Sequence, residues 1–263
     1  MPEFETIRYE VRDSVAWITL ARPERRNAMN RKMFVELAEA AEQASDDERV
    51  RGIVLSGEGS SFCAGLDLSM LGELAGIQGA RFRSFVRLAQ RPFALLAGMP
   101  KPSLAAVQGH ALGAGCQLAL ACDLRVAAAD ARFSIMEAKY GLIPDLGGPH
   151  RLARLVGPAR AKELIWTTRA ADAEEAERIG LANRVVSPDQ LSKEAEALVL
   201  DVLAHSPVTI GLVKDLVDRA SETPLEVEFE REATAQNAAI GSSDHAEAVA
   251  AFLEKRPPRF TGR

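Results

Sequence analysis

Glycine-rich turns at the ends of short apolar strands are the feature that most constrains this chain. Gly52-Ile53-Val54-Leu55-Ser56 is a continuous apolar run that ends on Gly57-Glu58-Gly59, and Ser103–Val107 is a second one leading into the glycine turn Gly109–Gly115. Ala114–Cys122 then reads as a helix and Leu124–Ala128 as the next strand. Apolar runs without alternation suit strands covered on both faces, and strands separated by helical stretches pair in parallel. The fold class predicted is α/β with a mostly parallel sheet, whose functional loops gather at the strand ends.

The flanking segments read differently. Ile7, Tyr9 and Val11 share one parity and Val15, Trp17 and Thr19 another, so Asp13-Ser14 is predicted to be a hairpin turn before a strand over Val15–Leu20. Residues 21–30 read as a loop. From about Asn30 the spacing of Met33, Leu37, Ala40, Ala41 and Ala44 is helical, and Ser45-Asp46-Asp47 ends it. The stretch Leu71–Phe93 carries Gly72, Gly76 and Gly79 and reads as mobile helix and loop. From Ser187 the chain is helix-forming, with candidates over Leu191–His205, Ser206–Ala220, Leu225–Ile240 and Asp244–Leu253, the last stopped by Pro257-Pro258. The organisation expected is an α/β core over residues 1–186 and a helical segment over 187–263 that packs on the core or on a neighbouring subunit.

Charge and composition narrow the partners. A net charge of -5 argues against a general nucleic-acid binder, which needs basic surface to displace counterions. The first residues have no basic segment followed by a long apolar run, and no stretch approaches the roughly 20 apolar residues of a membrane span, so a cytoplasmic protein without membrane contact is expected. Cys63, Cys116 and Cys122 lie among apolar or small residues and read as buried reduced thiols. His110, His150, His205 and His245 show no metal-ligand spacing, and no metal site is expected.

Two loops carry the chemistry: Ser61-Phe62-Cys63-Ala64-Gly65-Leu66-Asp67-Leu68 and Gly109-His110-Ala111-Leu112-Gly113-Ala114-Gly115-Cys116-Gln117. Each follows an apolar strand and places small residues where a ligand can approach the backbone. Free N–H groups at a helix start can meet developing negative charge. Neither loop is a dinucleotide or phosphate-loop fingerprint. Together they resemble the crotonase superfamily, the enoyl-CoA hydratase/isomerase family. The resemblance continues through Ala131–Glu137, through Gly141–Gly148, at Arg22-Pro23 and Asn27-Ala28, and at Ala251–Arg256.

That resemblance implies a spiral of repeated strand-strand-helix units with a C-terminal helical segment, acting on an acyl-CoA thioester. It implies an oxyanion hole formed by the backbone N–H groups of Leu66 and Ala114, and substrate contacts from Ala28, Ala64, Asp67, Leu68, Gly113 and Gln117. Arg25, together with Arg26, is a candidate partner for the phosphates of coenzyme A. No cofactor is implied beyond coenzyme A itself, which is part of the substrate. Assembly as a homotrimer or a dimer of trimers is implied as well.

The reaction turns on the acids. Hydratases of the family resemble one another in a pair of glutamates that activates water. Here the later position holds Glu137 but the earlier one holds Gln117, whose amide can orient a group yet cannot take a proton. Asp145 stands where hydratases commonly carry glycine and some isomerases carry aspartate; it also precedes a helix suggested over His150–Val156, so it reads equally as an N-terminal cap. Two carboxyls of unequal burial can take opposite roles in a proton shuttle. Enoyl-CoA isomerisation by Glu137 and Asp145 is therefore the leading expectation, with hydration by Glu137, alone or with Asp145, as its rival. A dehalogenase-like nucleophilic Asp145 and a non-catalytic acyl-CoA binder are further alternatives.

Overall fold

The hairpin expected at the start forms as β1 (Ile7–Arg12) and β2 (Val15–Leu20), antiparallel, with Arg12 opposite Val15. Asp13 and Ser14 take φ of 50° and 61°, the left-handed pair that a two-residue turn needs to follow strand twist. These features come from a computed structural model that describes residues 4–263. Helix α1 (Arg31–Asp46) follows, and the Asn30 side chain caps it by accepting the Met33 N–H at 2.9 Å.

Next come β3 (Gly52–Gly57), α2 (Leu68–Ala75), α3 (Gly79–Gly98), β4 (Ser103–Val107), β5 (His110–Leu112), α4 (Ala114–Ala121), β6 (Leu124–Ala128) and β7 (Arg132–Ser134). The chain continues through α5 (Gly148–Val156), α6 (Pro158–Thr167), β8 (Ala171–Asp172), α7 (Ala173–Arg178) and β9 (Arg184–Val186). It ends in α8 (Leu191–Leu203), α9 (Pro207–Arg219), α10 (Leu225–Ile240) and α11 (Ser243–Glu254).

The main sheet has six strands in the order β1-β2-β3-β4-β6-β9, and every pairing after the first hairpin is parallel. A second sheet of three strands, β5-β7-β8, is extended by a bridge from Cys63 to Ala111. A strand of the main sheet thus gives way to a strand of the small sheet and then to a helix, as in β4, β5 and α4. Gly109–Gly115, expected to be a turn only, contains β5, which pairs with β7 some twenty residues later. A partner at that separation leaves no mark on local periodicity. The stretch read as helix and loop is mostly helical: α3 runs 20 residues and packs on α1, where the Phe34 and Phe93 rings lie 6.4 Å apart. Phe85, Ala89, Phe93 and Leu96 form its buried stripe.

Both faces of the main sheet are covered, which explains the unbroken apolar runs. Ile18, Leu20, Ile53, Leu55 and Val107 join the larger core with α1, α3 and α4. Val15, Trp17, Val54, Leu104 and Val126 lie under Leu191, Ala195, Val199 and Leu203 of α8. Of the segment read as C-terminal, α8 therefore closes the sheet. Helix α9 buries none of its own side chains, and Val217, Phe229 and Phe252 on α9 to α11 are exposed. The three cysteines are buried and free, and burial pushes each thiol up to about 12, so they stay uncharged. Among the described residues no single helix is long and apolar enough to cross a membrane.

Candidate active site

The first loop is held by the short segment before α1. Met29 N–H donates to Gly65 O at 2.7 Å, Asp67 N–H to Met29 O at 2.9 Å and Ala64 N–H to Arg26 O at 2.9 Å. Alternation along this extended stretch turns the Leu66 N–H away from that ladder. Asn27, fully buried, locks the arrangement: its amide donates to Glu58 O and Ser61 O at 2.9 and 2.8 Å and its oxygen accepts the Arg22 N–H at 2.9 Å. Asn27 also sits at φ 56°, a region that tolerates asparagine better than alanine. Asn27→Ala is expected to cost about 2–4 kcal/mol through the unsatisfied carbonyls it leaves, read as a melting temperature lower by roughly 5–10 °C.

The second loop enters α4, whose first residue is Ala114, so its N–H has no acceptor within the helix. Neither the Leu66 nor the Ala114 N–H takes part in the backbone hydrogen bonds that tie these loops together. The loops touch through glycines. Gly65 has φ of 100°, and a Cβ there would lie 2.8 Å from Leu112 O and 3.8 Å from Ala114 N. A Cβ at Gly115 would overlap Cys63 O. Cys63 N–H donates to His110 O at 2.8 Å and Leu112 N–H to Cys63 O at 3.0 Å, which clamps the two loops side by side. Each loop thus leaves one backbone N–H, that of Leu66 or Ala114, outside the hydrogen bonds that join the loops, and donors of this kind suit a developing oxyanion.

Glu137 opens a short 3-10 turn over Glu137–Tyr140 after β7. It is half-buried rather than a solvated surface glutamate, and a Cβ at Gly113 would stand 3.3 Å from its Oε1. Oε1 accepts the Gln117 Nε2–H at 2.7 Å, whereas Oε2 is buried with no hydrogen-bond partner among the described residues. Burial pushes the Glu137 carboxyl above the usual glutamate range, and the charge of Asp145 pushes it further, against the pull of the Gln117 hydrogen bond. Burial raises Asp145 as well. Asp145 is not a helix cap: α5 starts at Gly148, its cap is Gly147, and no side chain caps it. The turn bearing Asp145 is pinned from three sides. Gln90 Nε2 donates to Asp145 O at 2.6 Å, Arg151 Nη1 to Leu146 O at 3.0 Å, and the Leu146 and Gly148 N–H groups donate to Gln117 Oε1 at 3.0 and 2.9 Å.

The structure brings Leu66, Gly113, Ala114, Gln117, Glu137 and Asp145 to one place and corrects the role expected for two polar residues. Gln117 is 1 % exposed, and both ends of its amide are engaged by protein, so it is not a substrate contact. The Asp67 carboxylate is likewise committed: it accepts the Ser69 N–H and hydroxyl at 3.0 and 2.8 Å and pairs with Arg22 at 2.8 Å. These contacts hold its carboxyl below the usual aspartate range and fix the start of α2. Ala28 and Ala64 lie partly exposed in the ladder described above, and Leu68 is 78 % exposed. Arg25 and Arg26 are exposed on the same segment, with no ion-pair partner among the described residues. Sequence reasoning did not find Gln90 or Arg151: Gln90 reaches the Asp145 turn from α3, and Arg151 joins Leu146 O to Phe93 O of α3 at 3.3 Å, contacts across distance that leave no local pattern.

Known proteins resemble this chain along nearly its whole length. The family model for enoyl-CoA hydratase/isomerase matches residues 10–263. The chain is 36% identical over 261 residues to a crotonyl-CoA hydratase of Syntrophomonas wolfei, covering 99% of each. It is 37% identical to the 1,2-epoxyphenylacetyl-CoA isomerase of Escherichia coli, covering 98% of this chain and 99% of that one. The crystal structure of an enoyl-CoA hydratase from Bacillus anthracis superposes with a TM-score of 0.92 at 32% identity, covering 98% of this chain and 100% of that one. The chain belongs to the enoyl-CoA hydratase/isomerase family, the crotonase superfamily, and has its fold. It is an enzyme of that family, whose members act on acyl-CoA thioesters.

Proposed function

We propose that this protein is an enoyl-CoA isomerase that moves a double bond by proton transfer between two carboxyl groups. The observation that carries this reading is the placing of Glu137 and Asp145, both partly buried and both raised, beside a glutamine where a second glutamate would serve hydration. In the proposed reaction the thioester oxygen of a 3-enoyl-CoA accepts hydrogen bonds from the Leu66 and Ala114 N–H groups. Asp145, as the carboxylate, removes a proton from C2. The electron pair left on C2 delocalises into the thioester oxygen as a dienolate held by the two N–H groups. Glu137 Oε2–H then delivers a proton to C4, giving the 2-enoyl-CoA. The two carboxyls end with exchanged protonation and reset through solvent.

Arg25 and Arg26 meet the phosphates of coenzyme A, and the backbone near Ala64 and Leu68 lies toward its adenine end. The reaction calls for no cofactor besides the coenzyme A of the substrate. The exposed Val217, Phe229 and Phe252 support burial of the C-terminal helices in a homotrimer or a dimer of trimers. The second reading, hydration with Glu137 holding the water, is favoured by the hydratase name of the Syntrophomonas relative. Paired assays separate them: wild-type enzyme is expected to convert a 3-enoyl-CoA at least tenfold faster than it hydrates crotonyl-CoA. Rapid hydration without isomerisation, lost in Glu137→Gln alone, would establish the hydratase instead.

A further inference from the structure

The Gln117 amide joins the two elements that carry the carboxyl groups. Its N–H holds Glu137 Oε1 at 2.7 Å, while its oxygen receives the N–H groups of Leu146 and Gly148, on the turn that begins with Asp145. Two consequences follow from the number of bonds an amide can make. The Gln117 oxygen has two lone pairs, and both are occupied by backbone donors, so none remains to accept from a water. The Glu137 carboxyl has one oxygen occupied and one bare, with Oε2 buried and without a partner among the described residues.

We propose that Gln117 is a positioning residue that makes Oε2 the only proton-transferring oxygen of Glu137, fixes that oxygen relative to the Asp145 turn, and selects isomerisation by offering no acceptor to a water. The selectivity rests on the isomerase reading above; the lock on Oε2 does not. With Oε1 held as the acceptor of an N–H, the acid form of Glu137 carries its proton on Oε2, where no protein group competes for it. The proton leaves Oε2 for carbon, and the electron pair of that O–H bond stays on the carboxylate, whose Oε1 keeps the Gln117 hydrogen bond throughout.

Gln117→Glu and Gln117→Leu test it. Gln117→Glu keeps an acceptor for the Leu146 and Gly148 N–H groups, so the turn stays in place, but it exchanges the donor to Glu137 for a second carboxyl oxygen. Its ratio of crotonyl-CoA hydration to 3-enoyl-CoA isomerisation is expected to rise at least tenfold; an unchanged ratio overturns the selectivity. Gln117→Leu frees Glu137, and its kcat is expected to fall roughly 10- to 100-fold with KM within about twofold. The alkaline limb of its isomerisation kcat profile, set by the acid Glu137, is expected to move to higher pH, because a hydrogen bond that favoured the carboxylate is gone. A merely structural role would lower the melting temperature and active fraction without moving that limb. A folded Gln117→Leu enzyme with wild-type kcat and pH profile overturns the lock. If wild-type enzyme only hydrates, the isomerase reading and the selectivity fall together. The lock on Oε2 is then judged by kcat and the acid limb of the hydration reaction.

Discussion

Glu137→Gln is expected to lower kcat by about 10²–10⁴-fold, the range that a positioned acid or base supplies, while making the protein more stable at neutral pH. The two effects share one cause. Burial and the neighbouring charge of Asp145 raise the Glu137 carboxyl above the usual range, so the folded state holds a proton that the unfolded chain gives up earlier. For an acid raised in this way, stability falls as pH rises from the ordinary glutamate value through the raised one. The amide introduced by the substitution never ionises and escapes that loss. The melting temperature of the variant minus that of wild type should therefore be small in acid, grow through that window, and level off above it. The plateau is expected at about 0.5–2 kcal/mol, the gain common when a strained functional group is removed. Asp145→Asn should shrink the difference, because one of the causes raising Glu137 is removed. Calorimetric scans from about pH 4 to 9 check both statements, and a flat difference between variant and wild type would show that Glu137 titrates as a solvated acid.

Gly115→Ala is the second large expectation. The added Cβ overlaps Cys63 O, a backbone atom held by the Leu112 N–H at 3.0 Å, so the clash falls on main chain and cannot be relieved by a side-chain rotation. One loop must shift from the other, which moves the Ala114 N–H relative to the Leu66 N–H. Loss of one oxyanion donor typically costs about 10²–10³ in kcat, and separation of the loops is expected to fall in that range. Overpacking adds a stability cost of about 1–3 kcal/mol. The control is Gly72→Ala at an exposed position of α2, where an added Cβ meets nothing within 4 Å among the described residues. It should leave kcat within about twofold. Equal losses in the two variants would mean that the loops are not held by close packing at residue 115.

Much of this was legible in the sequence for physical reasons. Continuous apolar runs such as Ile53-Val54-Leu55 imply cover on both faces, and the structure supplies α1, α3 and α4 on one side and α8 on the other. Helical spacing in Met33, Leu37 and Ala41 marked α1, and a neutral amide at residue 117 already signalled orientation without proton transfer. The small sheet was hidden because β5, β7 and β8 are only two or three residues long and pair across distance. Asp145 was ambiguous because a cap and an active-site acid share the same local sequence. Gly147 takes the cap position, which leaves the carboxyl without that role.

By itself, then, the chain determined its fold class and the identity of the groups available for chemistry, since hydrophobic period, glycine placement and residue type are local properties. Tertiary structure decided what those groups can do. The two loops lie some fifty residues apart in sequence, and the bridge from Cys63 to Ala111, with the close contacts at Gly65 and Gly115, sets them side by side. Glu137 acquires a held oxygen and a bare one only because Gln117 reaches it at 2.7 Å while its own oxygen is anchored on the Asp145 turn. Burial and long-range hydrogen bonds depend on where the chain returns to itself, and those are the terms that move the two carboxyls away from their ordinary ranges.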